Sequence, residues 1–465
     1  MVLARVPRLT AGHRLVLAGI VAVGAVLRVA WATQVRFPRV LADPFFYMML
    51  GGSLADGHGY AYPSFDPVTG LIAGYAPTAY YPPGYPLFLG GVFRLADTWP
   101  GEASRFGVAV AANVVLSVAL VGLVFALGRR LAGPVVGLAA GAVTALWPNL
   151  VFHSGVALTE TLFLCLFVLM MLVALATPEV ARHPGRRRLL VMGVLVGLVI
   201  LVRPVSVVVA PLLLILWWSD GVGAAARRMT LVAGATVAVL APWAILSTDR
   251  MNAPVLVSLN VGDNLCIGYH DGADGSFELA RQCTSGFTDL DRPEYETRRQ
   301  SANIGRALTY IRNHPGDVVA LIPPRAGYTL LDDHDGLAAA EDYGAHPLFR
   351  SSTRAILGRI ADAYYVGVLG LAAVGIIVIV RRGLWSDRRW QFLVLSAPVQ
   401  LLSPLLTFGD PRFKMPIYPA VATCAGAAIA VAARAGLGPA PVRDQTASPG
   451  TPEVTDPAVA TEPRR

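Results

Sequence analysis

Ten apolar stretches, separated mostly by arginine-bearing loops, constrain this chain more than any other feature. A membrane span needs roughly 20 predominantly apolar residues. The candidates are 15–35, 106–128, 133–151, 157–176, 189–202, 204–218, 230–248, 356–380, 391–407 and 415–433. Only 15% of residues are charged, against about 25% in soluble domains. The pattern predicts a polytopic, all-α integral membrane protein and gives no support for nucleic-acid binding.

Arginine sets the orientation. Arg5, Arg8 and Arg14 precede the first span, and Arg129 and Arg130 follow the second. Arg182 and Arg186 to Arg188 follow the fourth, Arg227 and Arg228 precede the seventh, and Arg381, Arg382, Arg388 and Arg389 follow the eighth. All fall on one side if 189–218 crosses twice, breaking at Arg203-Pro204. This predicts ten spans with both termini inside. The basic N-terminus and first apolar run read as an uncleaved first span, because no clear small-residue cleavage site precedes Asp43.

The expected organisation is a cytoplasmic N-terminus and first span (1–35), a first outer loop (36–105), spans two to seven (106–248), a large outer loop (249–355), three last spans (356–433) and a disordered cytoplasmic tail (434–465). Between Asp249 and Arg354 lie 15 of the chain's 30 acidic residues against 10 Arg. Basic inside and acidic outside is a self-consistent layout. The large loop reads as partly folded, with a helix over 294–314. Cys266 and Cys283 fall together in it and form a disulfide candidate, whereas Cys165 and Cys424 fall inside spans as inert core residues. A single Lys, Lys414, among 38 basic residues points to a GC-rich, actinobacterial genome.

Ionisable residues in or beside a membrane are costly and tend to mark function. Here they gather at the outer rim. Asp43 opens the amphipathic stretch Asp43-Pro-Phe-Phe-Tyr47, and His58 and the Tyr80-Tyr-Pro-Pro-Gly-Tyr-Pro86 knot follow. His153 and Glu160 flank the turn between spans three and four. Arg203 sits at the outer turn of the short pair, Arg325 in the large loop, and Asp410, Arg412 and Lys414 between the last two spans. Each has a plainer alternative. Asp43 before Pro44 could cap a helix, Glu160 could cap the fourth span, and Arg28 and Arg203 could snorkel. Tyr47, Tyr80, Tyr81 and Tyr85 could belong to an aromatic belt. Outer positive charge at Arg412 and Lys414 runs against the topology rule, and a phosphate ligand would account for it. The turn Asn260-Val-Gly-Asp263-Asn264 is a further substrate-contact candidate, though a lone turn motif is weak.

An Asp just after span one, followed by a Tyr-rich Pro-Pro-Gly-Tyr-Pro segment, resembles the GT-C glycosyltransferases. The bacterial members of the protein O-mannosyltransferase and aminoarabinose transferase superfamily are the nearest likeness. Leu158-Thr-Glu-Thr-Leu-Phe163, Leu201-Val-Arg-Pro204, Asn260-Val-Gly-Asp-Asn-Leu265, Tyr310-Ile-Arg-Asn-His-Pro-Gly316 and Gly409-Asp-Pro-Arg-Phe-Lys-Met-Pro416 extend the resemblance over about residues 15–430. It implies a GT-C fold with about ten transmembrane helices and short helices in two outer loops. It also implies transfer of a sugar, with inversion, from a polyprenyl-phosphate donor on the outer face of the plasma membrane. Asp43 occupies the position of the family's general base. Many members carry Asp-Glu there, whereas this chain has Asp43-Pro44, and that departure weakens any carry-over of acceptor detail or protein-mannosylating activity.

The same chemistry can be written from the residues. Asp43 would take a proton from an acceptor hydroxyl. Arg412, Lys414, Arg325 and Arg203 would hold the leaving lipid phosphate. Tyr47, His58, Tyr81, Tyr85, His153, Glu160, Asn260, Asp263 and Asn264 are the expected substrate-binding residues. A Mg²⁺ or Mn²⁺ would need ligands beyond Asp43, such as Asp56. Donor, membrane lipid and a protein, polysaccharide or glycolipid acceptor are the expected partners. Two competing readings are a transporter or flippase of a lipid-linked sugar, which calls for charge at the midplane, and a catalytically inactive envelope-assembly partner.

Overall fold

The computed structural model describes residues 9–66, 69, 71–98, 104–286 and 292–436. The expected tail beyond residue 436, together with Arg5 and Arg8, lies outside them. Among the described residues, twenty α-helices follow in chain order. The first half contains α1 (Ala11–Ala32), α2 (Asp43–Ala55), α3 (Gly84–Ala96), α4 (Arg105–Ala132), α5 (Pro134–Leu146), α6 (Pro148–His153), α7 (Glu160–Ala174), α8 (Pro178–Arg182), α9 (Arg186–Val202) and α10 (Leu213–Trp217). The second contains α11 (Val222–Met251), α12 (Val261–Gly268), α13 (Arg281–Thr284), α14 (Arg292–Asn313), α15 (Pro315–Ala320), α16 (Ile322–Leu330), α17 (Asp335–Ala340), α18 (Ser351–Arg381), α19 (Arg388–Leu406) and α20 (Tyr418–Gly436). The helix expected over 294–314 is α14.

Among the described residues, five helical segments are long and apolar enough to cross a membrane: α1, α4, α11, α18 and Pro411–Ala433. Three more apolar helical segments are shorter: Pro134–Leu146, Glu160–Ala174 and Pro204–Asp220. Pro148 divides the expected span 133–151 into α5 and α6. A hairpin interrupts the helical expectation for the first outer loop: β1 (Ala61–Phe65) pairs antiparallel with β2 (Ile72–Pro77), with a bulge between Ser64 and Phe65. Tyr60, Ala61 and Tyr62 are buried at its base, so the hairpin is anchored by apolar burial rather than by its strands alone.

Over 186–220 the chain doubles back on itself, and the ion pairs mark the two ends of the hairpin. Asp220 Oδ2 accepts from Arg228 at 2.8 Å, and Asp220 Oδ1 accepts from Arg182 Nε at 3.0 Å. The chain therefore leaves one end of the bundle at Arg182, turns at Arg203 and returns to that end at Asp220. The return leg is a 3₁₀ helix over Pro204–Leu212, then α10 and one further 3₁₀ turn, Trp218–Asp220. A 3₁₀ helix rises about 2.0 Å per residue against about 1.5 Å for an α-helix, so a short leg can match α9.

Other basic loops converge at that same end. Arg130 donates to Leu172 O, Arg188 to Val173 O at 2.9 Å, Arg389 to Ala176 O at 2.7 Å and Arg388 to Ile215 O at 3.1 Å. These are carbonyls at or near helix C-termini, where cations are favoured. Glu160 and Arg203 lie at the opposite ends of α7 and α9, about 20–25 Å away by helix rise. Arg28 does not snorkel. It is fully buried and donates to Ser117 Oγ, Gly24 O, Ala145 O and Thr144 O, locking α1 to α4 and α5.

Candidate active site

Asp43 is the first residue of α2, and Pro44 fits the first turn because that position needs no N–H donor. The capping alternative fails, since α2 has no side-chain cap. The carboxylate reaches outward instead. Oδ1 accepts from the Tyr81 hydroxyl at 2.8 Å and Oδ2 from Arg412 Nη1 at 2.9 Å. The Asp43 side chain remains 32% exposed, so it is both held and reachable.

Two glycine contacts bring Tyr81 to this place. A Cβ on Gly51 would lie 2.7 Å from Leu89 Cβ, so only glycine lets α2 and α3 approach so closely. A Cβ on Gly84 would lie 2.8 Å from Leu201 O. The Pro82-Pro83-Gly84 knot is thus seated on the end of α9, beside Arg203. Tyr81 packs on Tyr47 with ring centroids 4.9 Å apart, and Tyr47 packs on Tyr85 at 5.4 Å. Burial, reinforced by the Asp43 charge, raises the Tyr47 and Tyr81 hydroxyls well above 10, so both stay protonated. Tyr85 is fully buried against Asn113 and serves packing.

Arg412 enters from the 3₁₀ turn Pro411–Ile417, whose N-cap is Asp410. Asp410 Oδ1 accepts from Arg412 N at 2.8 Å and contacts its Nε at 3.4 Å. One carboxylate therefore both starts the turn and aims the guanidinium. Beside it, Glu160 in the first turn of α7 pairs with Arg203 Nη1 at 3.2 Å, with side-chain exposures of 2% and 10%. Glu160 makes this pair rather than a cap. The Arg203 guanidinium lies 5.7 Å from the Phe163 ring and 5.8 Å from the Phe413 ring, flanked by aromatic faces that favour a cation.

Tyr343 was not foreseen from sequence. It and Asp342 have positive φ, at 56° and 51°, which costs an ordinary residue about 1–2 kcal/mol each. The turn is held by Asp342, which accepts from Arg39 N at 3.1 Å and pairs with His346 at 2.9 Å. Glu341 holds it too, accepting from Leu348 N and Phe349 N. The charges of Arg412, Asp43, Asp410 and Glu160 all act on Tyr343. The Asp342-Tyr343-Gly344 triplet was its only sequence signal.

Several expected site residues are engaged elsewhere. Arg325 is fully buried and donates to Gly268 O, Leu405 O and the Tyr269 hydroxyl, clamping the outer loop to α19. Lys414 is likewise buried, on Asp332 O, Pro411 O and Asp333 Oδ1. Neither guanidinium nor ammonium is presented to the Asp43 site, so the expected phosphate role is corrected for both. Asp263 is buried under Tyr80, Arg299 and Asn303, and Asn260 accepts from Ser258 Oγ. Asn264 is half-buried beside them. These three belong to a separate outer-loop network, linked to the site through Tyr80, whose ring lies 5.0 Å from that of Tyr81. His58 is exposed and stacks on Tyr75 of the hairpin at 3.7 Å. Cys266 and Cys283 form the expected disulfide, Cα atoms 5.9 Å apart.

His153 is buried and pairs with Asp335 at 2.8 Å. Burial opposes its protonation, but Asp335 outweighs burial and raises it above 6.5. In the adjoining network Asp333 accepts from Trp147 and Tyr418 and faces Lys414, and burial pushes its carboxyl up to about 6. His153 and this network back the site rather than line it at Asp43.

The donor set around Asp43 does not suit a divalent cation. Its two oxygens face a guanidinium and a phenol, and Asp56 is engaged by Arg105 at 2.6 Å. Among the described residues, one group of three potential ligands converges, Asp332, His334 and Asp362, without Asp43.

Comparison with known proteins bears on this geometry. Residues 81–246 match the family described as dolichyl-phosphate-mannose-protein mannosyltransferase. The match includes Tyr81, Glu160 and Arg203 and leaves out Asp43 and Arg412. No curated protein matches the chain. Among solved structures, the chain resembles the Archaeoglobus fulgidus oligosaccharyltransferase AglB in complex with an inhibitory peptide and a dolichol-phosphate. Identity is 14%, coverage 94% of this chain and 52% of that one, and TM-score 0.47. It also resembles ArnT from Cupriavidus metallidurans bound to undecaprenyl phosphate, at 14% identity, 90% and 78% coverage and TM-score 0.38. The chain spans about half the length of the archaeal enzyme.

Proposed function

We propose that the chain is a membrane glycosyltransferase that moves a sugar from a polyprenyl-phosphate donor to an acceptor hydroxyl on the outer face, with inversion. One observation carries the reading: a part-exposed carboxylate, Asp43, is clamped between a protonated phenol and a guanidinium at the end of the bundle opposite the basic loops. The match to dolichyl-phosphate-mannose-protein mannosyltransferases supports the donor class.

In the proposed step an Asp43 oxygen accepts the proton of the acceptor hydroxyl as that oxygen bonds to the anomeric carbon. The bond from that carbon to the phosphate oxygen breaks, and the electron pair leaves on the lipid phosphate. Arg412 is the cation placed to meet that charge. Asp43, Asp410 and Glu160 supply three carboxylates here against the two guanidiniums of Arg412 and Arg203. An incoming phosphate would compete with these carboxylates for Arg412, and where it displaces the Nη1 contact it would release Asp43. Donor binding would thus expose the base. Tyr81 would keep Asp43 oriented during the exchange.

The test is turnover of a panel of radiolabelled polyprenyl-phosphate sugars by the protein in native lipid, with the anomeric configuration of the product read by NMR. Transfer, or slow release to water, with inverted configuration supports the reading. Movement of an intact lipid-linked sugar across the bilayer without transfer would replace it with the flippase reading.

A further inference from the structure

A cavity of about 230 Å³ lies between the segment after α1 and the turn after α17, lined by Arg36, Phe37, Arg39, Asp342, His346 and Leu348 among others. It lies outside the Asp43–Arg412 pair. Arg36 and Arg39 are exposed, and neither guanidinium has a hydrogen bond or ion pair among the described residues. Several other arginines in the fold are tied to carboxylates or carbonyls, among them Arg28, Arg105, Arg130, Arg203 and Arg325. The Asp342 carboxylate in the wall is already shared between Arg39 N and His346. Two uncommitted guanidiniums therefore face one engaged carboxylate.

The position narrows the ligand. Arg36 follows the last residue of α1, Ala32, by only four residues, and α1 is a candidate membrane span. If α1 crosses the bilayer, Arg36 and Arg39 fall at headgroup depth, on the side where the expected topology disfavours positive charge. Phe37 and Leu348 add an apolar wall suited to the glycerol and upper acyl region.

We propose that this cavity holds the phosphodiester headgroup of an anionic bilayer phospholipid. Arg36 and Arg39 grip the phosphate, and Phe37 and Leu348 pack on the glycerol side. The site is separate from the donor phosphate position at Arg412. It sits on the turn that carries Tyr343, so a bound lipid would also brace that strained turn.

The test reads lipid retention by native mass spectrometry. Full-length protein is reconstituted in nanodiscs of phosphatidylcholine with or without phosphatidylglycerol, as wild type, as Arg36→Gln/Arg39→Gln and as an Arg312→Gln control. The expected result is one retained phosphatidylglycerol on the wild type and on the control. The double variant should hold it about thirtyfold more weakly, from roughly 1 kcal/mol per arginine near the surface. A matching melting temperature of the variant in phosphatidylcholine excludes misfolding as the cause; if the double variant melts early, Arg36→Lys/Arg39→Lys, which keeps both charges, must restore retention. Equal retention by wild type and a folded double variant overturns the proposal. So does displacement of the lipid by inorganic phosphate alone, which would mark a free-anion site.

Discussion

Replacing Arg412 with Gln removes the 2.9 Å contact to Asp43 and the 3.4 Å contact to Asp410 and leaves the turn itself capped by Asp410. Two separate losses follow from the proposed chemistry. The donor phosphate loses its nearest cation, and a preorganised donor to developing negative charge is worth about 2.7–4 kcal/mol, or 10²–10³ in kcat. The ground-state clamp on Asp43 also disappears, with Tyr81 left as its remaining partner. The variant should therefore lose about 10²–10³ in kcat/KM, more of it in kcat than in KM, because charge on the phosphate grows in the transition state. Arg412→Lys should recover part of kcat, since an ammonium supplies charge without the guanidinium's fork. Asp410→Asn should cost less than tenfold, because an amide oxygen can still cap the turn. The assay is steady-state transfer from the active donor, with circular dichroism and melting to confirm the fold. Unchanged kcat in a folded Arg412→Gln protein would refute the placing of the phosphate at Arg412.

Three other perturbations probe the scaffold. A Cβ on Gly375 would collide with Cys424 O, so Gly375→Ala should force α18 from α20 and cost about 1–3 kcal/mol in thermal or denaturant unfolding. Reduction of Cys266–Cys283 should destabilise the outer loop by about 2–4 kcal/mol, read as faster proteolysis within 249–355. The His153–Asp335 pair sets a pH dependence. Its raised histidine gives stability that is full below 6.5 and fades as pH climbs through the raised value, while the contribution of lowered Asp335 holds above 3.8 and persists down to strongly acidic pH. Asp333, raised to about 6, loses its contribution lower, between 3.8 and about 6. Melting temperature should therefore fall as pH rises above 6.5, the histidine's ordinary value, and His153→Gln should flatten that fall.

The helical, membrane-embedded class was legible in the sequence because apolar runs and arginine placement are one-dimensional signals, whereas five segments, against ten expected, reach spanning length among the described residues. The break at Arg203-Pro204 followed from charge sidedness alone, and the ion pairs of Asp220 show the chain returning to the end it left at Arg182. Asp43, Arg412, Glu160 and Arg203 were found as polar residues at one rim and meet in space. Arg325 and Lys414 carried the same signal and turned out to be buried clamps. A sequence marks a cation at the rim but does not say whether a carbonyl or a phosphate will satisfy it. That depends on packing, here the seat of Arg325 on Gly268 O and Leu405 O. Tyr343 was missed for the opposite reason: the Asp342-Tyr343-Gly344 triplet marks a turn, but not that Asp342, Glu341 and their partners hold Tyr343 itself in the left-handed region.

The central claim is that Asp43 is the base for sugar transfer. Its most direct test is single-turnover transfer from the active donor by wild type and Asp43→Asn, with donor binding measured on both. The account predicts a loss of about 10²–10⁴ in the transfer rate, with donor affinity kept or tightened because Arg412 no longer faces a competing carboxylate. Transfer at the wild-type rate by Asp43→Asn would contradict it.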